Sequence, residues 1–304
     1  MKIENAVNEW NLSLLGEVRD ISREWYISHV RKLVDYLPPG TEVEAITARD
    51  LRHWRAFLIN SKKYKSGTIN HILANGKRFF SFCVRDNIID ADPAAGLGLI
   101  QDKQKSKPPA AIEVDDFLRL VNYCVSLGKK GVRDLAIVLC LFGTGCRVNG
   151  LCGLKLDDLY LNEGKALVVE KGRDGGKERW IYLEIPVRIA LEDYIYNIRP
   201  HGRGPHVFHG ERGSGLTRQG VWYILDRTAE RAGVDGVHNP HSFRHAYAIQ
   251  MLLRGMTLSV VSRLLGHADI AITHRYYARF AQDDLQAQQQ KYSLINDLAV
   301  SQNS

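Results

Sequence analysis

Hydrophobic positions in the first hundred residues recur at intervals of three and four. In "TARDLRHWRAFLIN", Leu51, Trp54, Phe57 and Leu58 fall on one helical stripe. Thr47 stands just before the stripe and Asp50 three residues on, an acidic variant of the capping box that predicts the start of the helix. "SGTINHILANGKRFFSFCVRDNII" repeats the spacing with Ile69, Ile72, Phe79, Phe80 and Val84, and turns Lys77, Arg78 and Arg85 to the other face. "ADPAAGLG" (Ala91 to Gly98) is expected to end that helix. The periodicity then breaks in "IQDKQKSKPPAAI", Ile100 to Ile112, which is polar, lysine-rich and interrupted by Pro108 and Pro109. This stretch reads as an interdomain linker, and its lysines also suit a phosphate backbone.

From about Glu113 the pattern is mixed. Helices are predicted over 113–127 and 131–143. Two short β-runs, "ALVVEK" and "ERWIYL", flank the glycine-rich "GRDGG" and predict a hairpin with a long tip. Helices are expected to dominate again from Pro186 to the end. The polar tail after Gln282 reads as a terminal helix suited to docking on a partner. The pattern therefore predicts a mainly α chain with a small antiparallel β-sheet. It divides into a helical domain at 1–100, a linker at 101–112 and a mixed α/β domain at 113–304 with a C-terminal tail helix.

Composition narrows the class. The 304 residues are 45% hydrophobic, enough for two domains with sizeable cores. Apolar runs such as "LAIVLCLF" fall far short of the ~20 residues that span a bilayer. "MKIENAVNEWNLSLL" lacks the apolar segment of a secretory signal, so a soluble cytoplasmic protein without a membrane partner is expected. The five cysteines are odd in number and none forms a CxxC pair, which argues against a disulfide framework or a zinc site. A net charge of +7 suits a polyanion, because lysine and arginine release counterions from phosphates. It also fits many plain basic proteins.

Four stretches hold candidate chemistry. In "GTGCRVNGL", Gly143 and Gly145 are expected to make a tight turn that sets Arg147 at a helix start. A guanidinium there offers parallel donors to a phosphate; the plainer reading is an arginine held by a neighbouring carboxylate. In "VVEKGRDGGKERWIYL", Lys171 enters the hairpin tip and Lys177 leaves it, either as a general acid or as an ordinary solvated lysine. In "NPHSFRHAYAIQML", His241 and Arg244 share a helical face, while His245 points about a hundred degrees away. His241 serves either proton transfer or helix capping. In "HADIAITHRYYARF", Ile270, Tyr277 and Phe280 form an apolar stripe, which assigns Tyr277 to the core and turns Tyr276 off it.

Taken in order, Arg, Lys, His-x-x-Arg, Gly-His and Tyr make the chain resemble the tyrosine recombinase (phage integrase) family, both its Xer-like and mobile-element members. The likeness runs over nearly the whole chain, through "FFSFCVRDNIIDADPAAGL", "TGCR", "EKG…KER", "HSFRH" and "LLGHADIAITHRYY". It implies a helical core-binding domain that grips DNA, followed by a mixed α/β catalytic domain. It implies that Arg147 and Arg244 clamp the scissile phosphate and that Lys171 is the general acid. His241 and His267 would assist proton transfer and phosphate binding. Tyr276, nine positions after His267, would be the nucleophile. Two departures stand out. Family members often carry an acid three residues after the first arginine, where this chain has Gly150. The turn "GRDGG" is also longer than in Xer-type members.

The residue types suit the reaction. A phenol with a reference pKa of about 10 attacks a phosphodiester. Two arginines stabilise the growing charge, so neither a metal nor any other cofactor is implied. The 3′-phosphotyrosyl link preserves the bond energy, so rejoining needs no ATP. A metal nuclease would need converging carboxylates; Asp115-Asp116, Asp157-Asp158 and Asp283-Asp284 look like caps and exposed positions. The implied partners are double-stranded DNA, a homo-tetramer in the synaptic complex, with the C-terminal tail as a candidate link between protomers, and accessory DNA-bending proteins. A chain expected to start directly in the core-binding domain, without a separate arm-type domain, suits a simple recombinase acting on short sites, and the departures at Gly150 and the hairpin make integration or excision of a mobile element the expected job. Alternatives are Xer-type resolution of chromosome or plasmid dimers, a type IB topoisomerase or telomere resolvase, and a non-catalytic regulator on the same fold.

Overall fold

The computed structural model describes residues 1–101, 110–170, 176–210 and 214–281. Most of the expected linker, Lys171 with most of the glycine-rich turn, and the tail from Gln282 lie outside the described residues. The chain forms two compact units, Met1–Lys107 and Pro108–Ser304.

The described residues of the first unit form four α-helices: α1 (Ile3–Ser13), α2 (Asp20–Val34), α3 (Ala48–Asn60) and α4 (Ser66–Arg85). The predicted capping box opens α3. Asp50 N donates to Thr47 Oγ1 at 3.3 Å, and Thr47 N donates to Asp50 Oδ2 at 2.9 Å. Leu51, Trp54 and Leu58 are buried as their spacing requires, but Phe57 is exposed, with its ring 5.0 Å from that of Tyr36. Trp54 packs α3 on α4 across Gly76, where a Cβ would come within 3.3 Å of the indole. The helix α4 stops at Arg85, earlier than "ADPAAGLG", because Asn87 turns left-handed at φ 56°.

The described residues of the second unit form α5 (Val114–Ser126), α6 (Val132–Thr144), the short α7 (Val148–Gly153), a three-stranded antiparallel sheet and five more α-helices. The strands are β1 (Leu159–Tyr160), β2 (Lys165–Glu170) and β3 (Lys177–Tyr182), in that spatial order. The hairpin was legible as two alternating runs. β1 was not, since two residues carry no alternation. The register sets Val168 opposite Arg179 and Glu170 opposite Lys177. The remaining helices are α8 (Ile185–Asp193), α9 (Arg218–Ala232), α10 (Pro240–Leu253), α11 (Leu258–Leu265) and α12 (Ile270–Tyr277). Helices dominate the described residues after Pro186, as expected. Between 199 and 210 the backbone is irregular and organised by Arg199, whose guanidinium donates to the carbonyls of Arg203, Gly204 and His206.

The core of this unit centres on α6, whose Ala136, Ile137, Val138 and Leu141 are fully enclosed by sheet and helices. A smaller apolar cluster forms where α10, α11 and α12 meet: Tyr247, Ala248, Leu252, Val261, Leu265 and Tyr277. Among the described residues no helix is long and apolar enough to cross a membrane.

Candidate active site

The site begins at a turn that only glycine makes cheaply. Gly145 caps α6 at φ +57°, and a Cβ there would meet the Tyr247 ring at 2.6 Å. Gly143 was expected to share this turn, but it lies in the last turn of α6. Reversal at Gly145 sets Arg147 at the N-cap position of α7.

Helix α10 opens on Asn239 and Pro240. Asn239 Oδ1 accepts from the backbone N–H groups of His241 at 3.0 Å and Ser242 at 3.1 Å. The cap is therefore made by Asn239 and not by the His241 imidazole. One turn on, Arg244 is 4% exposed. Its Nη1 donates to the Gly145 carbonyl at 2.7 Å and its Nη2 to the Leu265 carbonyl at 2.6 Å. These carbonyls sit at the C-terminal ends of α6 and α11, where a cation is favoured and oxygens otherwise lack partners. Just past Leu265, Gly266 turns left-handed at φ +66° and presents His267, whose Nδ1 lies 2.7 Å from Thr273 Oγ1.

Mutual fields show how close these groups are. Burial, then the charge of Arg147, brings the Arg244 guanidinium down to about 10, so it stays charged at neutral pH. Burial, then Arg244 and Arg147, pulls His267 down to about 4. The same three causes in the same order lower His241. The structure thus brings Arg147, Arg244, His241 and His267 into one neighbourhood, with His267 neutral at physiological pH. The two arginines, 97 positions apart in the chain, meet at the Gly145 turn.

The adjacent tyrosines differ. Tyr277 is 2% exposed, its hydroxyl lies 2.5 Å from His245 Nδ1, and burial pushes its phenol up to about 12. Tyr276 is 40% exposed, with its ring centroid 6.5 Å from that of His245. The stripe expected to bury Tyr277 is only partly present. Ile270 is 52% exposed at the start of α12, and the residue that shares the inward face is Thr273, one turn before Tyr277. Phe280 packs partly buried against the same cluster. His245, expected to point elsewhere, is turned inward by this bond. Burial, then His241 and Arg244, pulls it down to about 4.

Besides His245, two neighbours of these groups, Glu170 and Arg179, were not assigned to the site by the sequence reading. On β2 the inward positions are Ala166, Val168 and Glu170. Glu170 Oε1 accepts from Arg179 Nη2 at 2.9 Å and from the Arg147 backbone N–H at 3.1 Å, and Oε2 accepts from Arg147 Nη1. Arg179 Nη1 donates to the Leu264 carbonyl at 2.6 Å. The side chain passes over Gly266, where a Cβ would come within 2.5 Å of Arg179 Cδ. Burial favours the neutral form of Glu170, but the hydrogen bond and charge of Arg179, with the backbone bond and charge of Arg147, outweigh it and hold the carboxyl below its usual range. The signal was an acid at an inward strand position with an arginine diagonally across the hairpin. Arg147 held by a carboxylate was the plainer of its two readings, and the contact is present. Lys171 lies outside the described residues. Lys177 is exposed on β3.

This fold with this grouping of side chains matches known site-specific DNA recombinases of the tyrosine class. The phage integrase family profile matches residues 111–283. The tyrosine recombinase XerD of Listeria monocytogenes serotype 4b is 32% identical over 259 residues, 83% of this chain and 85% of that protein. XerD of Listeria innocua is 34% identical over 241 residues, 78% and 79% of the two chains. Among solved structures, the Tn1549 transposon integrase in complex with transposon right end DNA shares the fold with a TM-score of 0.77 at 18% identity, covering 96% of this chain and 99% of that one. A lambda integrase dimer bound to a COC′ core site gives 0.70 at 18% identity, covering 90% and 97%. The chain belongs to the phage integrase family.

Proposed function

We propose that Tyr276 attacks a phosphodiester of double-stranded DNA, giving a 3′-phosphotyrosyl enzyme and a free 5′-hydroxyl that a second strand then replaces. Arg147 and Arg244 hold the phosphoryl oxygens. Each guanidinium offers five N–H donors, of which no more than two bond to described residues of the protein. His241 and His267, lowered toward the neutral form, accept the phenolic proton and steady the phosphate. Lys171 protonates the leaving 5′ oxygen. The observation that supports this reading best is the locking of Arg244 onto the turn that carries Arg147, while Tyr276 alone of the two tyrosines stays open.

In this reading residues 1–100 form the core-binding domain and 113–304 the catalytic domain, and the protein works in the cytoplasm. DNA as the partner is supported by relatives in the fold, such as the Tn1549 integrase solved on transposon right end DNA. Exchange between two duplexes calls for a homo-tetramer, with the C-terminal tail linking protomers and DNA-bending proteins assisting. Integration or excision of a mobile element is the leading role. Xer-type dimer resolution is the second, favoured by the XerD relatives at 32–34% identity.

A nicked suicide substrate bearing a selected binding site should trap a covalent adduct, and strands from two distinct duplexes should become joined. An adduct without joining between duplexes would point to a topoisomerase. No adduct on any selected site would leave a DNA-binding regulator. On the same substrate Lys171→Ala should slow cleavage by ~10²-fold or more and Lys177→Ala by far less, following the usual size of general-acid effects. A 5′-thio leaving group needs no proton and should restore the Lys171 variant; failure of that rescue removes the role.

A further inference from the structure

Arg147 has two sides. One is open, with the side chain 30% exposed, and the other rests on the Glu170 carboxylate, whose own side chain is 3% exposed. We infer that Glu170 is the positioning residue for Arg147, supplied by strand β2 and admitted by Gly150. This rests on the proposed phosphate-clamping role of Arg147 and adds the group that holds the clamp in place.

Three observations carry it. First, Glu170 binds both the backbone N–H and the guanidinium of Arg147, so it fixes the start of α7 and the side chain together. A two-point hold removes torsional freedom that a solvated arginine would otherwise keep. Second, the carboxylate closes a circuit. Arg179 binds Glu170 and the Leu264 carbonyl; the next carbonyl, Leu265, binds Arg244; Arg244 in turn binds Gly145, two residues before Arg147. Both proposed clamp residues therefore hang on one ring of bonds that joins sheet, α6, α10 and α11. Third, Gly150 faces Glu170 from α7. A Cβ there would lie 3.3 Å from Val168 Cβ and 3.5 Å from Glu170 Cγ. The strand acid fills the space that a side chain at 150 would claim.

The carboxylate acts from inside. It is buried at 3% exposure, while the Arg147 side chain keeps 30% of its surface open to an approaching phosphate. It also lets three guanidiniums, Arg147, Arg179 and Arg244, gather in a partly dry space, with a positive excess left for an anion.

The test uses the full-length protein on the suicide substrate, once wild-type adduct formation has established the chemistry itself. Glu170→Gln keeps the shape and should bind DNA within about threefold of wild type but cleave ~10–100-fold more slowly, as expected when a catalytic group loses its anchor. If Glu170 acts through Arg147, the loss should shrink to less than about threefold in an Arg147→Lys background, because coupled sites are non-additive. In Glu170→Ala, the added change Gly150→Glu should recover about tenfold or more by restoring an acid from the other side, whereas Gly150→Glu alone should slow cleavage. Wild-type or faster cleavage by Glu170→Gln would overturn the inference, as would an undiminished loss in the Arg147→Lys background. Absence of an adduct with the wild-type chain would instead refute the proposed function.

Discussion

Tyr276→Phe is expected to abolish the covalent protein–DNA adduct, and Tyr277→Phe to leave it in place. The two phenols differ in what they must give up to react. Tyr276 is open to solvent and needs only an incoming phosphate. Tyr277 is enclosed by α10 and α11, bonded to His245, and holds its proton up to about 12. Attack by Tyr277 would require breaking that bond and turning a core side chain outward. Loss of the nucleophile should reduce adduct formation by at least ~10³-fold, to background. Loss of the Tyr277 hydroxyl removes one hydrogen bond, worth about 0.5–1.5 kcal/mol of stability, and should change cleavage only a few-fold. The adduct is resolved from free protein by denaturing electrophoresis. An adduct that survives Tyr276→Phe and vanishes with Tyr277→Phe would place the reactive phenol one residue further along.

Arg244→Lys is expected to cost both cleavage and stability, and the two losses are separable. The guanidinium joins the C-terminal ends of α6 and α11 through the Gly145 and Leu265 carbonyls. An ammonium on a flexible stem cannot reach both carbonyls and also offer a fork to a phosphate. Each buried carbonyl left unpaired costs about 1–3 kcal/mol, so the melting temperature should fall by several degrees. Loss of a preorganised charge at the phosphoryl group should slow cleavage by ~10²-fold or more. Single-turnover cleavage measured well below the variant's melting temperature isolates the second effect. If the slowing there matches only the fraction unfolded, Arg244 is a structural joint and the phosphate is held by other groups.

How much of this was visible in the chain depends on how local the signal was. The capping box at Thr47 and Asp50 was legible because its partners lie three residues apart. The β2–β3 hairpin was legible because alternation survives over six residues in each strand. Phe57 and Ile270 were misjudged for the opposite reason. A helical stripe says which residues share a face, but the edge of that face is settled by neighbours that come from elsewhere in the chain. Phe57 finds Tyr36 at the surface, and Ile270 stays 52% exposed at the start of α12. The candidate site shows the same division. Arg147, His241, Arg244, His267 and Tyr276 were picked out by residue type, order and family likeness. Glu170, Arg179 and His245 were not, since each gains its meaning from a partner 9 to 85 positions away.

The sequence by itself determined most of the helices, the β2–β3 hairpin, the glycine-borne turn before Arg147, and the family to which the order of basic residues points. Those are consequences of backbone sterics and side-chain periodicity, which act over a few residues. Only the tertiary structure decided that Arg244 reaches back 99 residues to Gly145, that a strand acid stands beside Arg147 where Gly150 leaves space, and that His245 turns in to meet the Tyr277 hydroxyl. These depend on which buried polar groups can satisfy one another once apolar surface has drawn the helices together, and no local pattern encodes that choice.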